Sequence, residues 1–167
     1  MHSPLFVSIE NSGLGTTIAG NEWMFPTIET LHVIAIVTVI GTIALMDLRL
    51  LGVASRSKSV AAMSHDTLPI TWTAFAFALL TGALLCVRKA TSYMANPYFL
   101  WKMGMMALAG VNMAIFHRYL AKDIGLWGQA GHDIPGNVKL AGALSLLLWI
   151  AIPFCGRVIG FTLGVYY

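Results

Sequence analysis

Four long apolar stretches, separated by short polar segments, divide the chain. The first runs almost unbroken from Val33 to Met46, entered through Trp23, Phe25 and Pro26 and left through Asp47-Leu48-Arg49. Aromatic rings belong at a membrane–water interface and proline in a first helical turn. About 20 apolar residues cross a bilayer, so the pattern predicts a transmembrane helix over 27–48. The second span, over 67–87, opens at Asp66, whose carboxylate can cap free amides while Pro69 occupies the first turn. It stops at Arg88-Lys89. Asn96-Pro97 is a turn signal that starts the third span, 98–120. The fourth covers 138–165, longer than a bilayer needs, which predicts a tilt or a kink at Pro153. Residues 1–22 are not apolar enough to span. Ser3-Pro4 starts a short surface helix there, ended by Gly13 and followed by a Gly/Thr-rich loop.

Composition agrees with the pattern. The 167 residues are 57% hydrophobic and 10% charged, with mean hydropathy +0.76, against about 25% charged in soluble proteins. The fold class is therefore all-α: one integral membrane domain, 1–167, built as a four-helix bundle with the lipid bilayer as its first partner. A net charge of +3 without a basic run excludes nucleic acid. The amino terminus has neither a basic n-region nor a cleavage site, so insertion is expected through the first span. Cys86 and Cys155 have no C-x-x-C spacing for zinc or covalent haem. They read as buried thiols, or as a disulfide at the outer ends of spans 2 and 4. Arg49, Arg56, Lys58, Arg118, Lys122 and Lys139 flank one side of the membrane, against Arg88, Lys89 and Lys102 on the other. The positive-inside rule then puts both termini outside.

The polar residues gather at the membrane borders. Glu29 and Asp47 lie eighteen residues apart, five helical turns or about 27 Å, on one face of span 1 with nothing titratable between them. That argues against a proton pump. Lys102, Met106, Met113 and His117 share a face of span 3, at depths matching Glu29 and Asp47. Ion pairs Glu29–Lys102 and Asp47–His117 or Asp47–Arg49 would hold the two helices in register. Glu29 and His32 form E-x-x-H, which can offer two metal ligands on one side; alternatively His32 simply satisfies a hydrogen bond to Glu29 or a carbonyl. His65 and His117, at equal depth, are candidate axial ligands of a b-type haem, with Met113 as an alternative soft ligand for haem or copper. Arg56, Lys58 or Arg118 would stand near the propionates. A methionine stripe also serves as plain packing. His2 and His132 read as solvated loop residues. Gly156, Gly160 and Gly164 recur at four-residue steps, a groove for helices of the same bundle or for a second subunit. No catalytic motif occurs.

The stretch W-x-x-F-P-x-I-E-x-L-H from Trp23 to His32, with D-L-R-L-L-G from Asp47 to Gly52, resembles the first span of a family of small four-helix proteins of the bacterial inner membrane, catalogued as a domain of unknown function. The resemblance extends over span 2 and the Lys102–Asn112 part of span 3. It implies a multi-pass inner-membrane protein and assigns no activity. A looser similarity in the use of border histidines and methionines connects the chain to copper-resistance membrane proteins and four-helix b-type cytochromes. The expectation is a small membrane protein without catalytic activity of its own, binding haem b or copper in electron transfer or metal handling. The alternative is a scaffold or anchor subunit acting as a homo-oligomer or within a membrane complex.

Overall fold

A computed structural model describes residues 4–54, 57–127 and 133–166; Arg56, His2 and His132 lie outside the described residues. Every regular element among them is helical. Two short helices, α1 (Pro4–Glu10) and α2 (Gly13–Gly20), precede α3 (Met24–Leu50) and α4 (Val60–Val87). A one-and-a-half-turn helix α5 (Ala90–Ala95) leads into α6 (Pro97–Ile115), which continues as a π turn (Phe116–Leu120) and a 3-10 turn (Ala121–Asp123). Helix α7 (Gly136–Thr162) ends the bundle. The segments Met24–Leu50, Val60–Val87, Pro97–Asp123 and Gly136–Thr162 are long and apolar enough to cross a membrane. The four predicted spans are therefore present.

The differences are at the boundaries, and each has a local cause. Gly13 begins a helix instead of ending one, because the Ser12 hydroxyl accepts from the Gly15 amide at 3.2 Å and caps α2. Gly15 packs directly on the Glu10 carbonyl, where no β-carbon fits. Helix α4 starts seven residues before the predicted start, since Ser59 rather than Asp66 is its cap, accepting from the Ala62 amide at 3.2 Å. Pro69 consequently lies inside α4, in its third turn, and leaves the His65 carbonyl without its helical donor. The α3–α4 connector turns at Gly52, whose φ of 74° places it in the left-handed region that glycine enters without strain.

Helix α3 packs along α4 on one side and α7 on the other, and α7 packs along α6. Helices α4 and α6 form no comparable seam, so the bundle is left with a cleft between them. The inward stripe of α3 is Ala35, Val39, Asp47 and Leu50, while Leu31, Val33, Ile34, Val37 and Leu45 point outward. Such outward apolar faces suit contact with lipid. At the Asp47 end a cluster of Leu50, Val60, Phe116, Trp127, Ile134, Val138 and Ala141 closes the bundle. Gly142 lets α7 approach α3 there: a β-carbon on it would stand 3.3 Å from Leu50 Cβ.

At the opposite end the joint is polar. Asn96, with no exposed surface, accepts from the Tyr98 amide at 2.9 Å and donates to Thr162 Oγ1 at 3.0 Å. It caps α6 and ties it to the last turn of α7. Glu10 fastens the surface helices to the bundle by accepting from the Thr91 amide at 3.3 Å and hydroxyl at 2.6 Å. Asn96→Ala removes the cap of α6 and the tie to α7, leaving the part-buried Tyr98 amide without its acceptor, which costs about 1–2 kcal/mol. A lowered melting temperature in nanodiscs, with unchanged helix content by circular dichroism, is the expected result.

Candidate functional site

The cleft between α4 and α6 opens into a cavity of about 300 Å³ in the Asp47 half of the bundle. Its walls come from all four long helices. Thr42, Met46, Asp47 and Leu50 enter from α3, Thr67, Thr71, Trp72 and Phe75 from α4, Met106, Asn112 and Met113 from α6, and Gly142, Ser145 and Trp149 from α7. Most of this lining is apolar, and its polar groups are mainly satisfied within the protein. Thr71 donates to the Thr67 carbonyl at 2.8 Å and lies 2.7 Å from the Thr42 hydroxyl across the α3–α4 seam. Thr67 donates to the Met63 carbonyl. Asn112 donates to the Ala141 carbonyl at 3.0 Å, joining α6 to α7.

Asp47 differs from these neighbours. It is 5% exposed and stands beside Ser145 of α7, another lining residue. Its second oxygen, Oδ2, is fully covered and has no hydrogen-bond partner among the described residues. A buried polar atom without a partner is expensive, and a carboxylate oxygen more so than most. Among the described lining residues Asp47 is also the sole Asp, Glu, Lys or Arg. Above it, toward the bundle centre, three rings follow: Phe75 stands edge-to-face with Trp72 and with Trp149, both at 6.2 Å between centroids.

The predicted site residues are placed as follows. His117 and Met113 line the cavity, and His117 Nδ1 lies 3.0 Å from the Met113 carbonyl in the preceding turn. His65 faces away, its side chain 92% exposed and its Nδ1 3.7 Å from Asp66. The structure thus does not bring His65 and His117 together. The expected register pairs are likewise not closed. Arg49 is buried and donates from Nε to the Lys58 carbonyl at 2.8 Å, holding the α3–α4 connector instead of Asp47. Glu29 is exposed, and Lys102 turns inward until its Nζ stands 3.6 Å from where a β-carbon on Gly156 would be. Burial of the long lysine stem against α7 separates the two.

His32 points into the α3–α4 seam, where its Nδ1 lies 2.9 Å from Thr81 Oγ1. Because the Thr81 hydroxyl donates to the Phe77 carbonyl at 2.8 Å, it is left to accept from His32. The ring fits there only because residue 82 is glycine: a β-carbon would stand 2.9 Å from His32 Cε1. Glu29 and His32 therefore do not converge, and among the described residues no group of three His, Cys, Asp or Glu side chains could hold a metal ion. Cys86 and Cys155 are both unpaired thiols. Gly156 faces Lys102 within the chain, while Gly160 is exposed with open space beside it.

Sequence comparison assigns the chain its family. The chain belongs to a family of unknown function, DUF6644. The family profile matches residues 6–162, from the first surface helix to the last turn of α7, so all four spans and the cavity are within it. Neither the curated proteins nor the solved structures contain a match.

Trp72, Phe75 and Trp149 are the site residues that sequence reasoning did not single out. Their signal was present as aromatics inside otherwise aliphatic spans, but which helices would face each other was not readable.

Proposed function

We propose that this DUF6644 protein is a ligand-binding membrane protein, without catalytic activity of its own, that takes a small amphiphilic molecule into the cavity between its four spans. The observation that carries the proposal is Asp47: a carboxylate, 5% exposed and without an ion-pair partner among the described residues, in the wall of an apolar cavity. A pocket that is mostly apolar with a few placed polar groups is the usual form of a small-molecule site. The α4–α6 cleft gives the molecule a way in from the lipid. The charge asymmetry described above favours a bacterial inner membrane orientation with the Asp47 end cytoplasmic and both termini outside.

Haem b fits this cavity poorly. Axial ligands approach an iron from opposite faces, whereas His117, Met113 and Met106 all come from α6 and His65 lies outside. A second reading, a scaffold or self-associating subunit, draws on Gly160, which is open to a partner helix. On that reading Gly160→Leu lowers cross-linked dimer yield several-fold in nanodiscs with no change in melting temperature; an unchanged yield removes it.

The cavity reading is tested by fluorine NMR on nanodisc-embedded protein with two probes, 4-fluorobenzyltrimethylammonium and its uncharged analogue with carbon in place of nitrogen. At least one is expected to bind saturably beyond empty nanodiscs. Gly110→Phe, which projects a ring into the cavity from a position with open space beside it, is expected to abolish that binding. Absence of saturable binding of both probes, or binding unaffected by Gly110→Phe, overturns the proposal.

A further inference from the structure

The chemistry of the cavity also specifies its ligand. We propose that the occupant is an organic ammonium ion, with its cationic head against Asp47 and an apolar, ring-bearing body among Trp72, Phe75 and Trp149. The inference rests on the cavity reading above and adds the ligand's charge and orientation.

Three observations carry it. Asp47 lines the cavity and has no ion-pair partner among the described residues, and a buried charge is tolerated when an opposite charge meets it. No lysine or arginine among the described lining residues supplies that charge, and neither register pair is made: Arg49 Nε donates to the Lys58 carbonyl, and His117, which also lines the cavity, has its Nδ1 on the Met113 carbonyl. A ligand is left to bring it. Ser145, which lines the cavity beside Asp47, and Trp149 lie four residues apart on α7, about 6 Å along the axis at the rise of a helix. That separation corresponds to a cationic nitrogen joined to an aromatic body by a short linker. Aromatic faces attract cations as well as apolar groups, so the rings favour the charged ligand along its whole length. An anion, by contrast, would meet a carboxylate and three electron-rich ring faces.

Lateral access fits the same class. An amphiphilic ammonium concentrates at the membrane–water border, its head in the polar layer and its body among the acyl chains. Asp47 lies in the last turn of the apolar segment Met24–Leu50, and α4 and α6, which form no seam, leave the cavity open between them.

The paired probes separate this inference from the reading it rests on. In wild-type protein the ammonium probe is expected to bind about tenfold or more tighter than its carbon analogue. Asp47→Asn is expected to bring the two probes to within about twofold of each other, and Trp149→Ala to weaken both. Equal affinity for the two probes in the wild type, or a preference for the cation that survives Asp47→Asn, overturns the ammonium assignment while the cavity reading stands. Failure of both probes overturns both. Asp47→Asn removes no packing volume, and its fold is checked independently by circular dichroism and thermal unfolding in nanodiscs.

Discussion

Asp47→Leu is expected to raise the melting temperature of the protein in nanodiscs while abolishing its preference for a cationic ligand. The wild-type carboxylate is 5% exposed, and its Oδ2 is covered and unpartnered among the described residues. Leaving a polar atom buried without a partner costs about 1–3 kcal/mol. Leucine has the same branched shape and no such atom, and the adjoining cavity gives its bulkier methyl groups room, so the cost is removed. The neighbouring Ser145 hydroxyl does not depend on Asp47, since a helical serine can donate to the carbonyl one turn back, in this case Ala141. The net gain is then about 1–2 kcal/mol. The sign is what discriminates. A carboxylate that held α3 to α7 as a structural link would lower stability on removal, by about 3–5 kcal/mol for a broken buried pair. Thermal unfolding followed by circular dichroism reads the difference, and a drop in melting temperature identifies Asp47 as a structural link.

The sequence carried the four spans because bilayer thickness imposes a length and an apolar composition that few other constraints imitate. It carried less about the ends. Ser59 outcompeted Asp66 as a cap although both are competent capping residues, and the choice depended on the α3–α4 connector that Arg49 fastens through the Lys58 carbonyl. Pairings across the bundle were less legible still. Glu29 and Lys102 lie at matching depth, yet a lysine stem can bury toward α7 or reach toward α3, and depth alone does not choose. His32 offers the same lesson: its partner is Thr81, made reachable by the absence of a side chain at Gly82. A glycine inside an apolar span reads as a small residue, and only the facing helix reveals what it accommodates. The cavity depends on a still longer-range fact, that α4 and α6 stand apart.

Trp127→Ala is expected to be the most destabilising single substitution in the chain, at about 3–5 kcal/mol. Trp127 follows α6 and its trailing turns, in a polar stretch that the pattern of apolar positions leaves as a loop. Its ring is nonetheless 4% exposed and stands edge-on to Phe116 at 6.1 Å. Around it Leu50 from α3, Val60 from α4 and Val138 and Ala141 from α7 complete one cluster, so the ring is where all four spans meet at the Asp47 end. Against a total folding stability of about 5–15 kcal/mol, its loss removes a large fraction. Trp101, 70% exposed on the outer face of α6, is the control: Trp101→Ala is expected to shift stability by about 0.5 kcal/mol or less. Leu50, Phe116 and Ala141 belong both to the cluster and to the cavity lining, which couples this effect to the site. Faster hydrogen exchange over Phe116–Leu120 and the first turns of α7 should therefore accompany weaker binding of both probes in Trp127→Ala. Unchanged exchange there, with stability lost, would mean that the cluster and the cavity wall are energetically separate despite the residues they share.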